Sequence, residues 1–320
     1  MSTLELAHLN LTSPPVLAFA LGLLAAVVRS DLRFPEAITS LLSSYLLFAI
    51  GLKGGVALRD TDLGELSGPA VATLALGVVT PLLVFAVVPR LLRLGVADAA
   101  SLAAHYGSVS AVTFTAATAF AVAAGQTPEG FLPALVALLE VPGIVVALVL
   151  AHRALAGTSM RVAVHEVLTG KSVVLLLGGL LIGVVASEQG VRTVEPVFVA
   201  LFPGVLVLFL LDLGTLAGQR LGTVRRAGWR LVAFAAVTPL LFGPLGVVAG
   251  LVAGLSPAGA GVLGAMAASA SYIAAPAAVR AALPQADVGL ALGAALGVTF
   301  PVNLVVGIPL FAELAEALGR

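Results

Sequence analysis

Cysteine is missing from the 320 residues, which excludes disulfides, thiolate metal centres and cysteine nucleophiles. Charge is scarce too, at 10% of residues against about 25% in a soluble domain. It also cancels, 16 Lys plus Arg against 16 Asp plus Glu, so no electrostatic footprint for nucleic acid or an acidic partner exists. Aromatic residues amount to 6% and include one tryptophan, Trp229, so an aromatic belt is only weakly marked. No Lys or Arg occurs between Met1 and Ser13, a pattern expected of a retained first span rather than a cleaved signal peptide.

What is abundant is apolar sequence, 60% of the chain. The Leu, Val and Ala runs lack the period-two alternation of a transmembrane barrel, so the expected fold is an all-α polytopic membrane protein. A span needs about 20 apolar residues, and ten segments read as spans, the first slightly short: Pro14–Val28, Pro35–Leu58, Leu66–Val88, Ala97–Ala124, Phe131–His152, Lys171–Ala186, Val194–Ala217, Trp229–Leu255, Ala258–Leu283 and Val288–Leu314. A polar linker, Arg153–Gly170, divides them five and five. Two stretches are too polar for their depth. Ala103–Ala117 carries a histidine, a glycine and a cluster of hydroxyls, and Ser269–Pro276 interrupts the ninth span. Non-helical backbone at membrane depth is tolerated only where it is buried in protein or lines a wet cavity, so the fourth and ninth helices are expected to be discontinuous.

The halves repeat. Gly22-Leu-Leu-Ala-Ala-Val-Val matches Gly179-Leu-Leu-Ile-Gly-Val-Val, and Val79-Thr-Pro-Leu-Leu recurs as Val237-Thr-Pro-Leu-Leu. Gly107-Ser-Val-Ser matches Ala268-Ser-Ala-Ser, and Glu140-Val-Pro sits against Thr299-Phe-Pro. Five spans per half is an odd number, so the second half enters the membrane from the opposite side, as in the inverted repeats of secondary transporters. The expected units are residues 1–153, a short cytoplasmic linker at 154–170, and residues 171–320. Basic residues agree with this topology. Arg29, Arg33, Arg90, Arg93, Arg153, Arg161, Lys171, Arg220, Arg225, Arg226, Arg230 and Arg280 fall on one side. Only Arg59, Arg192 and Arg320 fall on the other, with Lys53 within or at the end of span two. The positive-inside rule then puts both termini outside a bacterial inner membrane.

Through the repeat, Ser108 and Ser110 map onto Ser269 and Ser271. At such breaks half-helix N-termini direct free N–H groups and positive dipole ends at one midplane point, which suits a small anion, while freed carbonyls and hydroxyls suit Na⁺. The expected substrate-binding set is Gly107, Ser108, Val109, Ser110, Ser269, Ala270 and Ser271. Glu140 stands mid-span before Pro142. A carboxylate there costs about 2.5–3.5 kcal/mol and needs a cation, a proton or a partner. The expected sodium or proton coupling set is Glu140, Ser110, Thr113, Ser271 and Tyr272, with Asp212 and Asn303 as secondary candidates. Lys53 reads as a side chain snorkelling to the outer interface. His105 has neither a Cys nor a spaced second His to form a metal site. Its position three residues before Ser108, with no Gly-x-Ser-x-Gly elbow, gives poor geometry for a hydrolase. The chain is not expected to be an enzyme or to hold a cofactor, Na⁺ entering only as coupling ion.

Phe34-Pro-Glu-Ala-Ile, Gly51-Leu-Lys-Gly-Gly, Gly107-Ser-Val-Ser, Glu140-Val-Pro and Ser269-Ala-Ser-Tyr-Ile-Ala-Ala-Pro resemble, in order, the sodium-dependent bicarbonate transporter family, the SbtA-like permeases. The resemblance implies two inverted five-helix repeats with crossed fourth and ninth helices, Na⁺-coupled bicarbonate uptake, and a homotrimer. It places the anion at the Gly107–Ser110 and Ser269–Ser271 breaks, and sodium among the hydroxyls beside them and Glu140. Cyanobacterial members carry Asp where this chain has Tyr272 and where it has Glu140. They also have a longer insert between the halves, implicated in docking a PII-like regulator, which the short linker here does not match. The chain looks closer to the wider bacterial branch. The expected function is sodium-coupled bicarbonate uptake by alternating access. Alternatives are a Na⁺- or H⁺-coupled permease for another small anion such as a monocarboxylate, and a membrane anion sensor that does not transport.

Overall fold

The structure is a computed structural model and describes residues 3–155 and 160–319. Among these residues it is helical, with no strand. Seven helices are long and apolar enough to cross a membrane, and three shorter apolar helices, Pro14–Val27, Lys171–Val185 and Pro257–Ala267, stand among them. The chain is a multi-pass membrane protein.

The first half runs through α1 (Thr3–Leu11), α2 (Pro14–Val27), α3 (Glu36–Leu58), α4 (Leu63–Leu91), α5 (Val96–Gly107), α6 (Ala111–Ala123) and α7 (Leu132–Ala154). A helix on the linker, α8 (Met160–Thr169), leads to α9 (Lys171–Val185) and α10 (Glu188–Glu195). The rest is α11 (Phe202–Ala227), α12 (Trp229–Val252), α13 (Pro257–Ala267), α14 (Ala274–Ala282), α15 (Val288–Ala294), the short α16 (Phe300–Val302) and α17 (Ile308–Leu318). Local chemistry starts these helices where they start. Pro14 opens α2 at a position where the missing N–H costs nothing. The Asp62 carboxylate caps α4 through the Gly64 N–H at 2.6 Å, and Ser256 caps α13 through the Gly259 N–H at 3.1 Å. Gly228, at φ +91°, makes the turn between α11 and α12 that an L side chain would strain.

Packing between the halves is reciprocal. Helix α2 lies on α11, and α9 lies on α3. In each pair glycine lets backbone meet backbone. A Cβ on Gly22 would stand 2.0 Å from the Leu211 carbonyl oxygen and one on Gly214 2.1 Å from that of Phe19. A Cβ on Gly51 would stand 2.3 Å from the Leu176 oxygen and one on Gly179 2.6 Å from that of Phe48. Within each half the remaining helices pack alike: α4 with α5 and α7, and α12 with α13 and α17. The core sits where the broken helices cross, α13 against α6 and α14 against α5, and every residue from Ala99 to Ala117 is buried.

Both expected interruptions are present. Helix α5 ends at Gly107 and α6 begins at Ala111, while α13 ends at Ala267 and α14 begins at Ala274. Several boundaries depart from the apolar runs. Helix α11 continues to Ala227, ten residues past the expected Ala217, because buried Val224 stays packed against Gly293 and Gly297 beyond the apolar run. Arg225 and Arg226 in its last turn complement the helix dipole. The expected seventh span, from Val194, begins inside α10 and passes through a π-helical turn, Pro196–Ala200. The linker is helical over Met160–Thr169, packing on α14 and α7 with Val167 buried. Residues 156–159 of that linker, and Arg320 of the charge count, lie outside the described residues.

Candidate functional site

The two interruptions hydrogen-bond to each other. The backbone N–H of Ser110 donates to Ser269 Oγ at 2.8 Å, and the backbone N–H of Ser271 donates to the His105 carbonyl at 2.7 Å. The matched serines thus perform the same act, each sending its amide across to the other broken helix. Their hydroxyls also act alike. Ser110 Oγ accepts from the Thr113 N–H at 3.1 Å and caps α6, and Ser271 Oγ accepts from the Ala275 N–H at 3.3 Å at the start of α14. Unwound backbone needs such partners in a dry interior, because an unpaired buried amide incurs the full desolvation cost.

Three further contacts tie the crossing to its neighbours. Ser108 Oγ donates to the Glu140 carbonyl at 3.0 Å. Asn303 Nδ2 donates to the Ala268 carbonyl at 2.8 Å, which satisfies the C-terminal end of α13. Ser110 Oγ donates to the Tyr272 hydroxyl at 3.1 Å. Gly107 fits only as glycine, since a Cβ there would stand 2.7 Å from the Pro81 ring, and Gly143 likewise, since a Cβ there would stand 1.9 Å from the Gly107 carbonyl oxygen.

Around Ser110 and Ser271 lies a cavity of about 10 Å³, lined also by Leu47, Val109, Ala111, Glu140, Tyr272 and Ile273. That is about one water-sized sphere. The polar side chains among its lining residues are all oxygen-bearing: Ser110, Ser271, Tyr272 and Glu140. Glu140 is buried and hydrogen-bonded to Ser172 in the first turn of α9, yet its Oε2 has no hydrogen-bond partner. Hard oxygen donors around a small void suit a hard cation, and a half-satisfied buried carboxylate is the group that would recruit one.

A model of the Na⁺-dependent bicarbonate transporter superfamily matches residues 14–316, both interruptions, Glu140 and Asn303 included. The chain belongs to that superfamily. No individually curated protein matches it.

In this superfamily member the fold gathers most of the expected site residues at one point. Gly107, Ser108, Val109, Ser110, Ser269, Ala270 and Ser271 are all buried at the crossing. Val109, Ser110, Ser271, Tyr272 and Glu140 share the small cavity. Thr113 is buried but does not line it; its amide is held by the Ser110 cap. Asn303 supports the α13 end, its Oδ1 buried without a partner. Asp212 stands apart from the small cavity. It accepts from Thr39 Oγ1 at 2.6 Å and lines a separate cavity of about 510 Å³ with Arg33, Lys171 and Arg280. Tyr272 and Ile273 border both cavities. Lys53 is exposed and lines a third, of about 780 Å³, its ammonium 4.6 Å from the Phe202 ring centroid.

Two participants escape a reading of side-chain types. His105 contributes its backbone carbonyl to Ser271, while its ring engages only the Ser101 carbonyl at 2.7 Å and leaves Nε2 unpartnered. Ser172, at the head of an apolar helix, is the partner of Glu140. A hydroxyl opening α9 was its signal, but nothing local tied it to α7.

Proposed function

We propose that the protein is a secondary transporter that couples bicarbonate uptake to Na⁺ by alternating access. The observation that carries this reading is the buried Glu140, with one carboxylate oxygen unpartnered, lining one small cavity with Ser110 and Ser271 where two broken helices cross. Sodium would take its ligands from Glu140 and those hydroxyls, with Tyr272 closing the shell. The anion would then lie against the sodium and the first-turn N–H groups of α6 and α14, whose dipoles favour negative charge. The sodium offsets the Glu140 charge that would otherwise repel an anion from the same point.

The repeat argues for one carboxylate site per chain rather than two. Thr299 stands where the second half would place a partner to Glu140. Its hydroxyl is already engaged, by the Tyr106 phenol at 2.6 Å and the Ala235 carbonyl at 2.8 Å. Reciprocal packing of α2 on α11 and α9 on α3 supports reading the chain as two five-span repeats of opposite orientation, ten spans in all. The basic-residue bias supports an inner-membrane orientation with both termini outside. A homotrimer is carried by the family resemblance, and the short linker argues against a docked PII-like regulator.

The test is uptake of ¹⁴C-bicarbonate into proteoliposomes with and without an inward Na⁺ gradient, against a folded, monodisperse preparation. Uptake that needs the gradient is expected. Uptake indifferent to Na⁺ would remove the coupling. Uptake of a monocarboxylate in place of bicarbonate would move the substrate while keeping the site.

A further inference from the structure

Helices α4 and α12 lie side by side and meet closely at one end, where a Cβ on Gly68 would come within 2.6 Å of the Ala253 carbonyl oxygen. Toward the opposite ends a groove of about 640 Å³ opens between them. Its floor includes Val84, Phe234, Thr238 and Phe242, all buried. Its walls include Leu83, Val87 and Leu241, which are 43%, 47% and 60% exposed on a face turned away from the core. Three arginines, Arg90, Arg93 and Arg230, stand at the mouth with Trp229.

The charges there are uncompensated. Arg90 donates to the Ala86 carbonyl of its own helix at 3.1 Å, and Arg230 sits 5.9 Å from the Trp229 ring centroid. Among the described residues no carboxylate pairs with any of the three. An apolar trough capped by three cations has one complementary kind of ligand, a molecule with a hydrocarbon tail and an anionic head. A free anion in water would meet the arginines but gain nothing from the trough. A zwitterionic lipid would fill the trough and bring no net charge to the mouth.

We propose that this groove binds an anionic phospholipid, its acyl chain along the α4–α12 floor and its phosphate against Arg90, Arg93 and Arg230. Tryptophan prefers the headgroup level of a bilayer, and Trp229, 75% exposed, sets the phosphate at that level. Assignment of this end to the cytoplasmic leaflet rests on the orientation proposed above. Lipid selectivity can be measured on either leaflet, so a wrong orientation and a wrong site give different results.

Because Trp229 is the chain's single tryptophan, its fluorescence reports the groove mouth directly. The intact protein is titrated with brominated phosphatidylglycerol or brominated phosphatidylcholine in proteoliposomes. Phosphatidylglycerol is expected to quench at a roughly tenfold lower mole fraction. The triple variant Arg90→Gln, Arg93→Gln, Arg230→Gln is expected to bring the two curves together, and the matching triple Lys variant to keep them apart. Should the triple Gln variant aggregate, Arg93→Gln alone is read, and the gap must narrow. Arg192→Gln, remote from the groove, must leave it unchanged. Equal quenching in the unaltered protein overturns the site. So does a preference that survives loss of the arginines, and so does a Trp229 shielded from both lipids, which would mean that a second copy covers the groove.

Discussion

Glu140 and its neighbours show how far a residue can be interpreted before its partners are known. A carboxylate in the middle of an apolar span is conspicuous in sequence, and the structure leaves one of its oxygens unpartnered among hydroxyls. Glu140→Gln keeps the volume and a hydrogen bond to Ser172 while removing the charge. We expect the Na⁺ concentration for half-maximal uptake to rise by roughly tenfold or more, as befits loss of a charged ligand worth about 1.5–3 kcal/mol. Unchanged Na⁺ dependence would take the carboxylate out of the cation site. Ser110→Ala removes the α6 cap and the contact to Tyr272, and about 1 kcal/mol of stability should go with the cap, measured by thermal unfolding in detergent. Ser110→Thr retains a capping hydroxyl and should recover most of it. His105 was legible only as an oddity. Its contribution is a backbone carbonyl accepting from Ser271, and no side-chain pattern announces a carbonyl.

At the level of elements, the breaks were readable because glycine and serine clusters contradict the apolar runs that hold them. Helix α8 and the extension of α11 to Ala227 were not. Hydropathy registers only what must be soluble in lipid, and both segments draw on contacts with helices distant in sequence, through Val167 in one and Val224 in the other. The α2–α11 and α3–α9 contacts give the sharpest test at this level. A Cβ at Gly22 or Gly214 would overlap a facing carbonyl at about 2 Å, and neither backbone can retreat without unseating its helix. Gly22→Ala and Gly214→Ala should each lower stability by about 1–3 kcal/mol, the usual cost of overpacking a tight contact. At Gly178, in the interior of α9, nothing lies within 4 Å of the added atom, so Gly178→Ala should be neutral or gain up to about 1 kcal/mol from helix propensity. Melting temperatures of the three variants decide it. A Gly22→Ala protein as stable as the parent would mean that the helices do not meet as closely as described.

For the whole molecule, the question is how one buried point communicates with two sides of a membrane. Two large cavities border opposite ends of α3. One of about 510 Å³ takes Glu36, Thr39 and Ser40 and reaches Tyr272 and Ile273 at the crossing. The other, of about 780 Å³, takes Lys53 and Ala57 and reaches Phe114 and Thr115 of α6, short of the unwound residues. The first therefore shares two residues with the small cavity and the second shares none. Under the proposed orientation the first opens to the cytoplasm, which makes this an inward-directed arrangement under the proposed function. Alternating access then requires the crossing to part from the first cavity and join the second. Rocking one group of helices against the other accomplishes both at once, since a packed interface has discrete arrangements rather than a continuum. Absence of native cysteine makes the test clean. Ala277 lines the first cavity and Ala119 the second, and both are exposed. In Ala277→Cys and Ala119→Cys, saturating Na⁺ with bicarbonate should change the maleimide labelling rates in opposite directions relative to Na⁺-free buffer. Glu140→Gln should abolish both changes if the carboxylate is what lets sodium discriminate between the two states, because a ligand shifts an equilibrium only by its differential affinity. Rates that move together would point to a global loosening, and rates that do not move would mean that Na⁺ and bicarbonate do not shift the two states, against transport by this route.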